Sequence, residues 1–194
     1  LDPLRAAREN GAPVLDVGSG RGEWLDVLRG AGIAARGVDV NAEFVHASRA
    51  RGLDVELMDT FAYLETVPTA SLGTVTAFHL IEHVDIRRLV ELVDQAARVL
   101  RPGGLLILET PNPTNLNVGA SSFFRDPTHR RPVHPEFLTF LVRECGFASA
   151  ELRYLHPEDA GTHGGDPGAL GDLSDQVRWA LLGPQDYAVI ATKA

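Results

Sequence analysis

The stretch Val14-Leu15-Asp16-Val17-Gly18-Ser19-Gly20-Arg21-Gly22 decides the fold of this chain. Its first four residues are mainly apolar and predict a short strand that ends at the glycines. Trp24, Leu25 and Leu28 then follow at helical spacing, so we expect a helix over residues 22–30. A strand, a glycine-rich turn and a helix N-terminus together make a cradle for a nucleotide.

Strand and helix patterns alternate along the rest of the chain. This order predicts an α/β domain with a mainly parallel sheet. Further strands are expected at residues 36–40, 54–58, 74–80, 105–109, 149–155 and 187–192. Further helices are expected at residues 42–51, 85–100 and 135–145. The helix at 85–100 is the clearest, because Asp85 suits its N-cap and Arg101-Pro102-Gly103-Gly104 should stop it.

Two segments interrupt the alternation. Residues 110–134 are polar and lack periodicity, and residues 157–171 are rich in Gly and Asp before a short helix predicted at 172–182. Loops of this length are uncommon in compact domains and are often functional. We therefore expect a single domain over residues 1–194, with insertions at about 110–134 and 156–183 that form a binding site or a lid.

Composition narrows the classes of protein. The 194 residues are 44% apolar and 23% charged, which is typical of a globular domain. The formal net charge of −8 makes a nucleic acid a poor candidate partner. No apolar run approaches the ~18 residues of a membrane span, and the first residues lack an apolar signal core. One cysteine excludes an internal disulfide framework and suits a cytoplasmic location, which is our expectation.

The glycine turn differs from a dinucleotide fingerprint. Its spacing is G-x-G-x-G, whereas dinucleotide sites have G-x-G-x-x-G. Asp16, just before the turn, would repel a pyrophosphate, and Asp39 follows Gly20 by 19 residues, where an acid can accept ribose hydroxyls. Both details favour a nucleoside that carries an amine.

Four motifs in order resemble those of class I S-adenosylmethionine (SAM) methyltransferases. They are residues 14–22, Gly37-Val38-Asp39, Met58-Asp59 and Leu100-Arg101-Pro102-Gly103-Gly104, and the resemblance extends over residues 14–155. It implies a Rossmann-like sheet of seven strands, mainly parallel, with helices on both faces and the last strand antiparallel. It also implies SAM as the cofactor and S-adenosylhomocysteine as the product.

The resemblance implies a role for each matching residue. Gly18 and Gly20 would line the methionine part of SAM, and Asp16 would lie near its ammonium. Asp39 would bind the ribose hydroxyls, while Asp59 would meet the adenine amine. The whole implied cofactor-binding set is Asp16, Gly18, Gly20, Arg21, Asp39, Val40, Met58, Asp59, Thr60 and His79.

Histidine and glutamate side chains follow the fourth predicted strand. In a sheet of this type the carboxyl ends of the strands face the ligand, so His79, Glu82 and His83 should converge there. His129, in the first insertion, is the fourth candidate catalytic residue. A histidine in such a cleft can act as general base on a hydroxyl. With a carboxylate, it can instead hold a divalent metal that lowers the pKa of the hydroxyl.

The metal alternative has a parallel in another family. The chain is similar to small-RNA 2′-O-methyltransferases, whose Glu-x-x-Glu-His motif and downstream His hold magnesium. Glu82, His83 and His129 match three of those positions, but His79 replaces the first Glu. The implied metal ligands are thus His79, Glu82, His83 and His129, with Mg²⁺ or the softer Mn²⁺ or Zn²⁺ as the ion. The Glu-His pair could also merely shape the pocket, as in many small-molecule methyltransferases.

The first insertion also carries the candidate acceptor-binding residues, which are Arg125, Asp126, Arg130 and His134. The basic cluster of this insertion suits a sugar or a phosphate, and it consists of Arg125, Arg130, Arg131, His129 and His134. Together with residues 78–83 and 109–113, this region resembles bacterial polysaccharide methyltransferases, including mycobacterial methylmannose polysaccharide 1-O-methyltransferases and O-antigen chain-terminating methyltransferase domains. That resemblance implies methylation of a saccharide hydroxyl.

Other functions and partners stay open. The acceptor could be a small phenol, quinone, lipid or sugar phosphate, or the chain could bind SAM without turnover. RNA is a further alternative, although the acidic charge opposes it. We also expect that the chain could form a homodimer.

Overall fold

The computed structural model describes residues 11–157 and 175–194. Within these ranges seven strands form one sheet. The strands are β1 (Val14–Val17), β2 (Ala35–Asp39), β3 (Val55–Leu57), β4 (Leu72–Phe78), β5 (Leu100–Pro111), β6 (Phe147–Pro157) and β7 (Pro184–Lys193). The α-helices are α1 (Glu23–Gly30), α2 (Ala42–Ala50), α3 (Thr60–Thr66), α4 (Ile86–Val99), α5 (Leu116–Ala120), α6 (Pro135–Glu144) and α7 (Asp175–Leu182).

The strands lie in the order β3-β2-β1-β4-β5-β7-β6. The pairs from β3 to β5 are parallel, whereas β7 runs antiparallel to both β5 and β6. This arrangement confirms the predicted Rossmann-like α/β sheet with its antiparallel last strand. The carboxyl ends of β1, β2 and β4 therefore meet at one edge of the sheet.

Helices cover both faces of the central strands, which explains why β1 and β4 are almost entirely buried. On one face α4 buries Leu89, Leu92, Val93, Ala96 and Val99. Its start confirms the prediction, because the Asp85 carboxylate accepts hydrogen bonds from the Arg87 and Arg88 amides.

The sequence prediction missed two short helices. α3 follows Asp59, and α5 lies in the segment predicted as irregular, after Asn115. Both are N-capped by those side chains, but one or two turns are too few to produce a helical pattern of apolar residues. The chain passes directly from α4 into β5 at Leu100. Leu72 of β4 pairs with Leu100, but Thr74 pairs with Leu105, so β5 has extra residues between these two pairs and the register shifts there.

Some predictions lie outside the described residues. These are the character of the first ten residues and most of the second insertion, of which the structure describes only residues 156, 157 and the part from Asp175 onward. A single domain over residues 1–194 therefore stays a prediction. Among the helices that are described, none has the length and apolar character needed to cross a membrane.

Candidate cofactor and acceptor site

The glycine turn connects β1 to α1 and is anchored to the end of β2. Gly18 and Gly20 have φ values of 67° and 55°, which only glycine adopts without strain. The Gly20 amide donates to Asp39 Oδ2 at 2.8 Å, and the Asn41 amide donates to Oδ1 at 2.7 Å. A carboxylate oxygen can accept a second hydrogen bond, so Asp39 retains capacity for two ribose hydroxyls.

The turn forms one wall of a cavity of about 620 Å³. A Cβ added at Gly20 would meet no atom within 4 Å, so open space lies directly over the turn. Further walls come from Trp24, Phe78 and Ile107, and the buried Trp24 indole N–H has no hydrogen-bond partner among the described residues. The size of the cavity lies in the range of small-molecule sites, and the open space over Gly20 would let a ligand approach the backbone closely.

Asp16 lies beneath the turn with only 2% of its surface exposed. The Thr76 hydroxyl donates to Asp16 Oδ1 at 2.7 Å. Burial raises the pKa of Asp16 to about 7, the Thr76 hydrogen bond opposes this, and the charge of Asp39 adds to it. A ligand ammonium beside this carboxyl would favour its charged form.

Most of the other implied cofactor residues lie at the ends of β2 and β3, whereas Arg21 lies in the glycine turn. Val40 and Met58 are exposed apolar side chains there, 68% and 37% accessible. Asp59 is exposed and uses Oδ1 to cap α3, while the next residue, Thr60, is buried. The guanidinium carbon of Arg21 lies over the Phe44 ring, 5.3 Å from the ring centroid. The cofactor roles of these residues stay predictions.

Glu82, His83 and His129 form a compact cluster at the carboxyl end of β4. A 3₁₀ turn, Ile81–His83, presents the first two residues, and His129 comes from the insertion after β5. One ligand atom of each residue lies within 4.8 Å of the others, which is close enough for a shared metal ion. The structure thus brings together three of the four predicted metal ligands.

The fourth predicted ligand, His79, is joined to the cluster through Glu82. His79 Nδ1 lies 3.2 Å from Glu82 Oε1, and the Thr110 hydroxyl donates to Glu82 Oε2 at 2.8 Å. The hydrogen bond to Glu82 raises the pKa of His79, while its partial burial opposes this. His79 has a φ of 49°, a strained value for a non-glycine residue and one that clusters at functional sites.

The two imidazole rings of the cluster lie edge to face, 4.8 Å apart. His83 Nδ1 is 3.0 Å from the Thr128 hydroxyl oxygen, and His129 Nδ1 is 2.6 Å from the Phe123 carbonyl oxygen. The side chain of His129 is only 14% exposed. Both rings therefore have their Nδ1 atoms engaged by the loop, and their Nε2 atoms carry no hydrogen bond to any of the residues that the structure describes.

The predicted acceptor-binding residues divide into two groups. The Arg130 amide donates to the Glu82 carbonyl at 2.8 Å, and Asp126 Oδ2 lies 3.8 Å from His129 Nε2. Hydrogen bonds from Thr128 lower the pKa of Asp126. His134 instead caps α6, accepting from the Glu136 amide. Arg125 is exposed on the 3₁₀ helix Ser122–Arg125.

Sequence reasoning gave no role to three residues around the cluster. Thr110 and Thr128 hold Glu82 and His83, and Glu109 Oε1 lies 3.7 Å from His79 Nε2. Burial raises the pKa of Glu109. The only sequence signal was their position next to the Thr110-Pro111-Asn112 and Asp126-Pro127-Thr128-His129 motifs.

The chain matches known proteins over most of its length. A protein of Mycobacterium tuberculosis named "Probable S-adenosylmethionine-dependent methyltransferase" is 32% identical over 153 residues, covering 78% of this chain and 53% of that protein. A ubiquinone biosynthesis O-methyltransferase of Xanthomonas oryzae is 32% identical over 109 residues, covering 54% of this chain and 45% of that enzyme. This chain therefore spans about half the length of these curated relatives.

A solved structure agrees over almost the whole chain. It is a SAM-dependent methyltransferase from Archaeoglobus fulgidus, with 30% identity, a TM-score of 0.83, and coverage of 99% of this chain and 93% of that one. A family profile described as "Methyltransferase domain" matches residues 1–152. With this profile match, the sheet order and the glycine turn in agreement, the chain belongs to the methyltransferase domain family.

Proposed function

We propose that this domain transfers the methyl group of SAM to a hydroxyl oxygen of a saccharide. The observation that carries the proposal is the cluster of Glu82, His83 and His129 at the carboxyl end of β4. β4 lies next to β1, whose glycine turn lines the cavity assigned to the cofactor. A hydroxyl is a poor nucleophile until its proton is removed, and this cluster contains the groups that can remove it.

The glycine turn and its acids would bind the cofactor. SAM, when bound, would supply a sulfonium methyl carbon that a nucleophile can attack in line, with S-adenosylhomocysteine as the leaving group. Gly20 leaves room for it, Asp39 can accept ribose hydroxyls, and Asp16 can face its ammonium. Holding the two reactants in line supplies much of the rate.

The methyl group moves by displacement at its carbon atom. The acceptor oxygen forms a bond to the methyl carbon as the bond from that carbon to sulfur breaks, and the electron pair goes to sulfur. The hydroxyl proton moves to a base, for which the candidates are His83 Nε2 and His129 Nε2, the latter 3.8 Å from Asp126 Oδ2. A divalent cation held by Glu82, His83 and His129 would lower the pKa of the hydroxyl and make this proton easier to lose.

Two observations support a hydroxylated, polar acceptor. The rim of the cluster carries charged groups, with Asp126 3.8 Å from His129 and the Arg130 backbone bound to Glu82. The Xanthomonas relative is named an O-methyltransferase. The saccharide itself rests on the motif resemblance described above.

A small phenol or quinone is the second candidate acceptor. The cavity beside the glycine turn has an apolar wall that includes Trp24, Val27, Phe78 and Ile107. Val27 is 46% exposed, so the part of this wall that a bound cofactor leaves open could contact a flat apolar ring. The name of the Xanthomonas relative, which refers to ubiquinone, favours the same class.

The test is methyl transfer from labelled SAM to a panel of mannosides, other oligosaccharides, catechols and quinols. Each acceptor is incubated with EDTA, and then with added Mg²⁺ or Mn²⁺. Labelling of a saccharide is the expected result. Labelling of phenolic acceptors alone would overturn the proposal that the acceptor is a saccharide. If no S-adenosylhomocysteine forms with any acceptor, the proposed methyltransferase activity itself is overturned. Loss of transfer with EDTA and recovery with metal would assign the cation to the cluster, whereas transfer that ignores EDTA would assign the histidines as bases.

We expect His129→Gln to reduce kcat by about 10²- to 10⁴-fold, the typical contribution of a general base. SAM affinity should stay at the wild-type level, because His129 belongs to the acceptor side of the site. His46→Gln is the matched control, since His46 is an exposed histidine on α2 to which no role in the site is assigned. Wild-type turnover in His129→Gln, measured with the acceptor found above, would remove His129 from the mechanism.

A further inference from the structure

The segment Asp126–His129 contains a chain of hydrogen bonds that ends on His83. Thr128 Oγ1 lies 2.6 Å from Asp126 Oδ1 and 3.0 Å from His83 Nδ1. The Thr128 amide also donates to Asp126 Oδ1 at 2.8 Å, so the carboxylate holds both the backbone and the hydroxyl of Thr128. Carboxylate, hydroxyl and imidazole are therefore linked in series.

The direction of these bonds follows from the number of protons. A hydroxyl has one proton, and an ionised carboxylate can only accept. The Thr128 proton must therefore point to Asp126, which leaves only lone pairs of Oγ1 to face His83. The contact at 3.0 Å then requires a proton on His83 Nδ1, and a neutral ring must carry its lone pair on Nε2.

His129 reaches the same state through a different partner. Its Nδ1 lies 2.6 Å from the Phe123 carbonyl oxygen, which can only accept. Nδ1 therefore carries the proton and Nε2 the lone pair. Two unrelated loop contacts thus select the same tautomer in two neighbouring rings, whose centroids are 4.8 Å apart.

We propose that Thr128 and Asp126 are positioning residues that hold His83 in the Nδ1–H tautomer, so that its Nε2 lone pair serves the reaction. The inference rests on the proposed function for its purpose, but the tautomer itself can be measured without turnover. Asp126 has a second effect, because its Oδ2 lies 3.8 Å from His129 Nε2, where its charge favours a proton or a metal cation on that nitrogen.

The substitutions separate the hydroxyl from the charge. Thr128→Val keeps the shape and removes the hydrogen bond, whereas Thr128→Ser keeps the hydroxyl. Asp126→Asn keeps an oxygen that accepts from Thr128 but removes the charge. Thr66→Val is the matched control, since the Thr66 hydroxyl donates to the Tyr63 carbonyl at the end of α3.

The readout is a long-range ¹H–¹⁵N correlation spectrum of the full chain, recorded well above the ordinary imidazole pKa of about 6.5. The chain has seven histidines, and the His83 signals are assigned by their loss in His83→Gln. We expect Nδ1–H in the wild type, Thr128→Ser, Asp126→Asn and Thr66→Val, and a solvent-determined mixture in Thr128→Val. An Nε2–H signal for His83 in the wild type, or an unchanged tautomer in Thr128→Val, would overturn the inference.

Metal binding and turnover complete the test. Thr128→Val should lower metal affinity or kcat by about 10- to 100-fold, as loss of an outer partner of a histidine typically does, with SAM affinity unchanged. Thr128→Ser should instead keep metal affinity and kcat near the wild-type level, because it retains the hydroxyl. A merely structural role of Thr128 would not require a hydroxyl. If Thr128→Val does not fold, the tautomer of His83 in the wild-type spectrum still tests the inference. If no acceptor is methylated, the proposed function fails while the tautomer result stands on its own.

Discussion

Asp16 shows how one buried carboxyl can reflect both stability and binding. It has almost no exposed surface, and within the described residues its carboxylate accepts one side-chain hydrogen bond, from Thr76. Burial raises its pKa to about 7 against an ordinary value near 3.9. The folded chain therefore retains this proton at a pH where the unfolded chain has lost it, which is unfavourable unless a cation arrives.

We expect this carboxyl to lower the free energy of unfolding as pH rises from about 4 to about 7. At about 1.4 kcal/mol per pKa unit, the full loss above pH 7 is roughly 4 kcal/mol. Asp16→Asn has no ionisable carboxyl at this position and avoids this loss. The stability of the variant relative to wild type should therefore increase as pH rises from about 4 to about 7. Urea unfolding at several pH values measures the difference, and a difference independent of pH would contradict the assignment.

Gly20 and Gly103 form a matched pair for testing the cofactor site. Both have positive φ, 55° and 75°, and a Cβ at either would meet nothing within 4 Å. Alanine at either position should cost about 1–2 kcal/mol of stability because of the backbone. Only Gly20 lines the cavity.

Only Gly20→Ala should therefore weaken SAM binding, by about tenfold, which corresponds to about 1.4 kcal/mol. Titration calorimetry with SAM measures this, and Gly103→Ala controls for the backbone effect. Equal SAM affinity in the two variants would mean that the cofactor does not approach Gly20.

At the scale of elements, three asparagines join α5 to the chain around β7. Their side-chain amides donate to backbone carbonyls, from Asn112 to Pro184, from Asn115 to Gly183 and from Asn117 to Leu181. The segment predicted as a polar loop is therefore fixed by buried polar contacts. Hydropathy cannot reveal such contacts, because an asparagine that is buried and satisfied has the same identity as one in solvent.

Asn115→Asp should destabilise the protein by about 1–3 kcal/mol, because it removes the donor to Gly183 and buries a carboxylate beside that carbonyl. The aspartate keeps the oxygen that caps α5, so the loss reports the connection to Gly183 rather than the cap. Asn117→Asp, which is less buried, should cost less. Chemical unfolding of both variants checks the order, and equal losses would contradict it.

At the scale of the whole molecule, β7 is the strand on which the second half of the sheet depends. It lies between β5 and β6, which do not pair with each other. The buried Tyr187 on β7 also donates its hydroxyl to the Val133 carbonyl, so β7 fixes the chain just before α6. Burial raises the pKa of Tyr187, which keeps this donor protonated.

A chain that ends at Gly183 should therefore lose cooperative folding, since β6 would have no partner strand among those described. A chain that ends at Lys193 should behave as wild type, because Ala194 is exposed. Thermal unfolding followed by circular dichroism distinguishes the two. A sharp transition in the shorter chain would show that β1 to β5 fold on their own.

The sequence alone determined the class of fold, and it predicted where along the sheet a cofactor would bind. Residues 14–22 and Asp39 are local signals, because a strand, a turn that needs glycine and a helix start are each encoded by neighbouring residues. The alternation of strand and helix patterns predicted a mainly parallel α/β sheet, which the structure confirms, whereas the order of the strands within the sheet came only from the structure. The grouping of Glu82 with His83 was also visible, since both follow one strand.

Only the tertiary structure decided how His129 meets His83, and which partners orient the two rings. Thr128 and His83 are 45 residues apart, and their contact depends on the path of the insertion after β5. Short helices and buried asparagines direct that path through hydrogen bonds that leave no periodic trace in the sequence. Local patterns encode the elements of this domain. The cluster of Glu82, His83 and His129, and the contacts that orient its two rings, exist only when the sheet has formed.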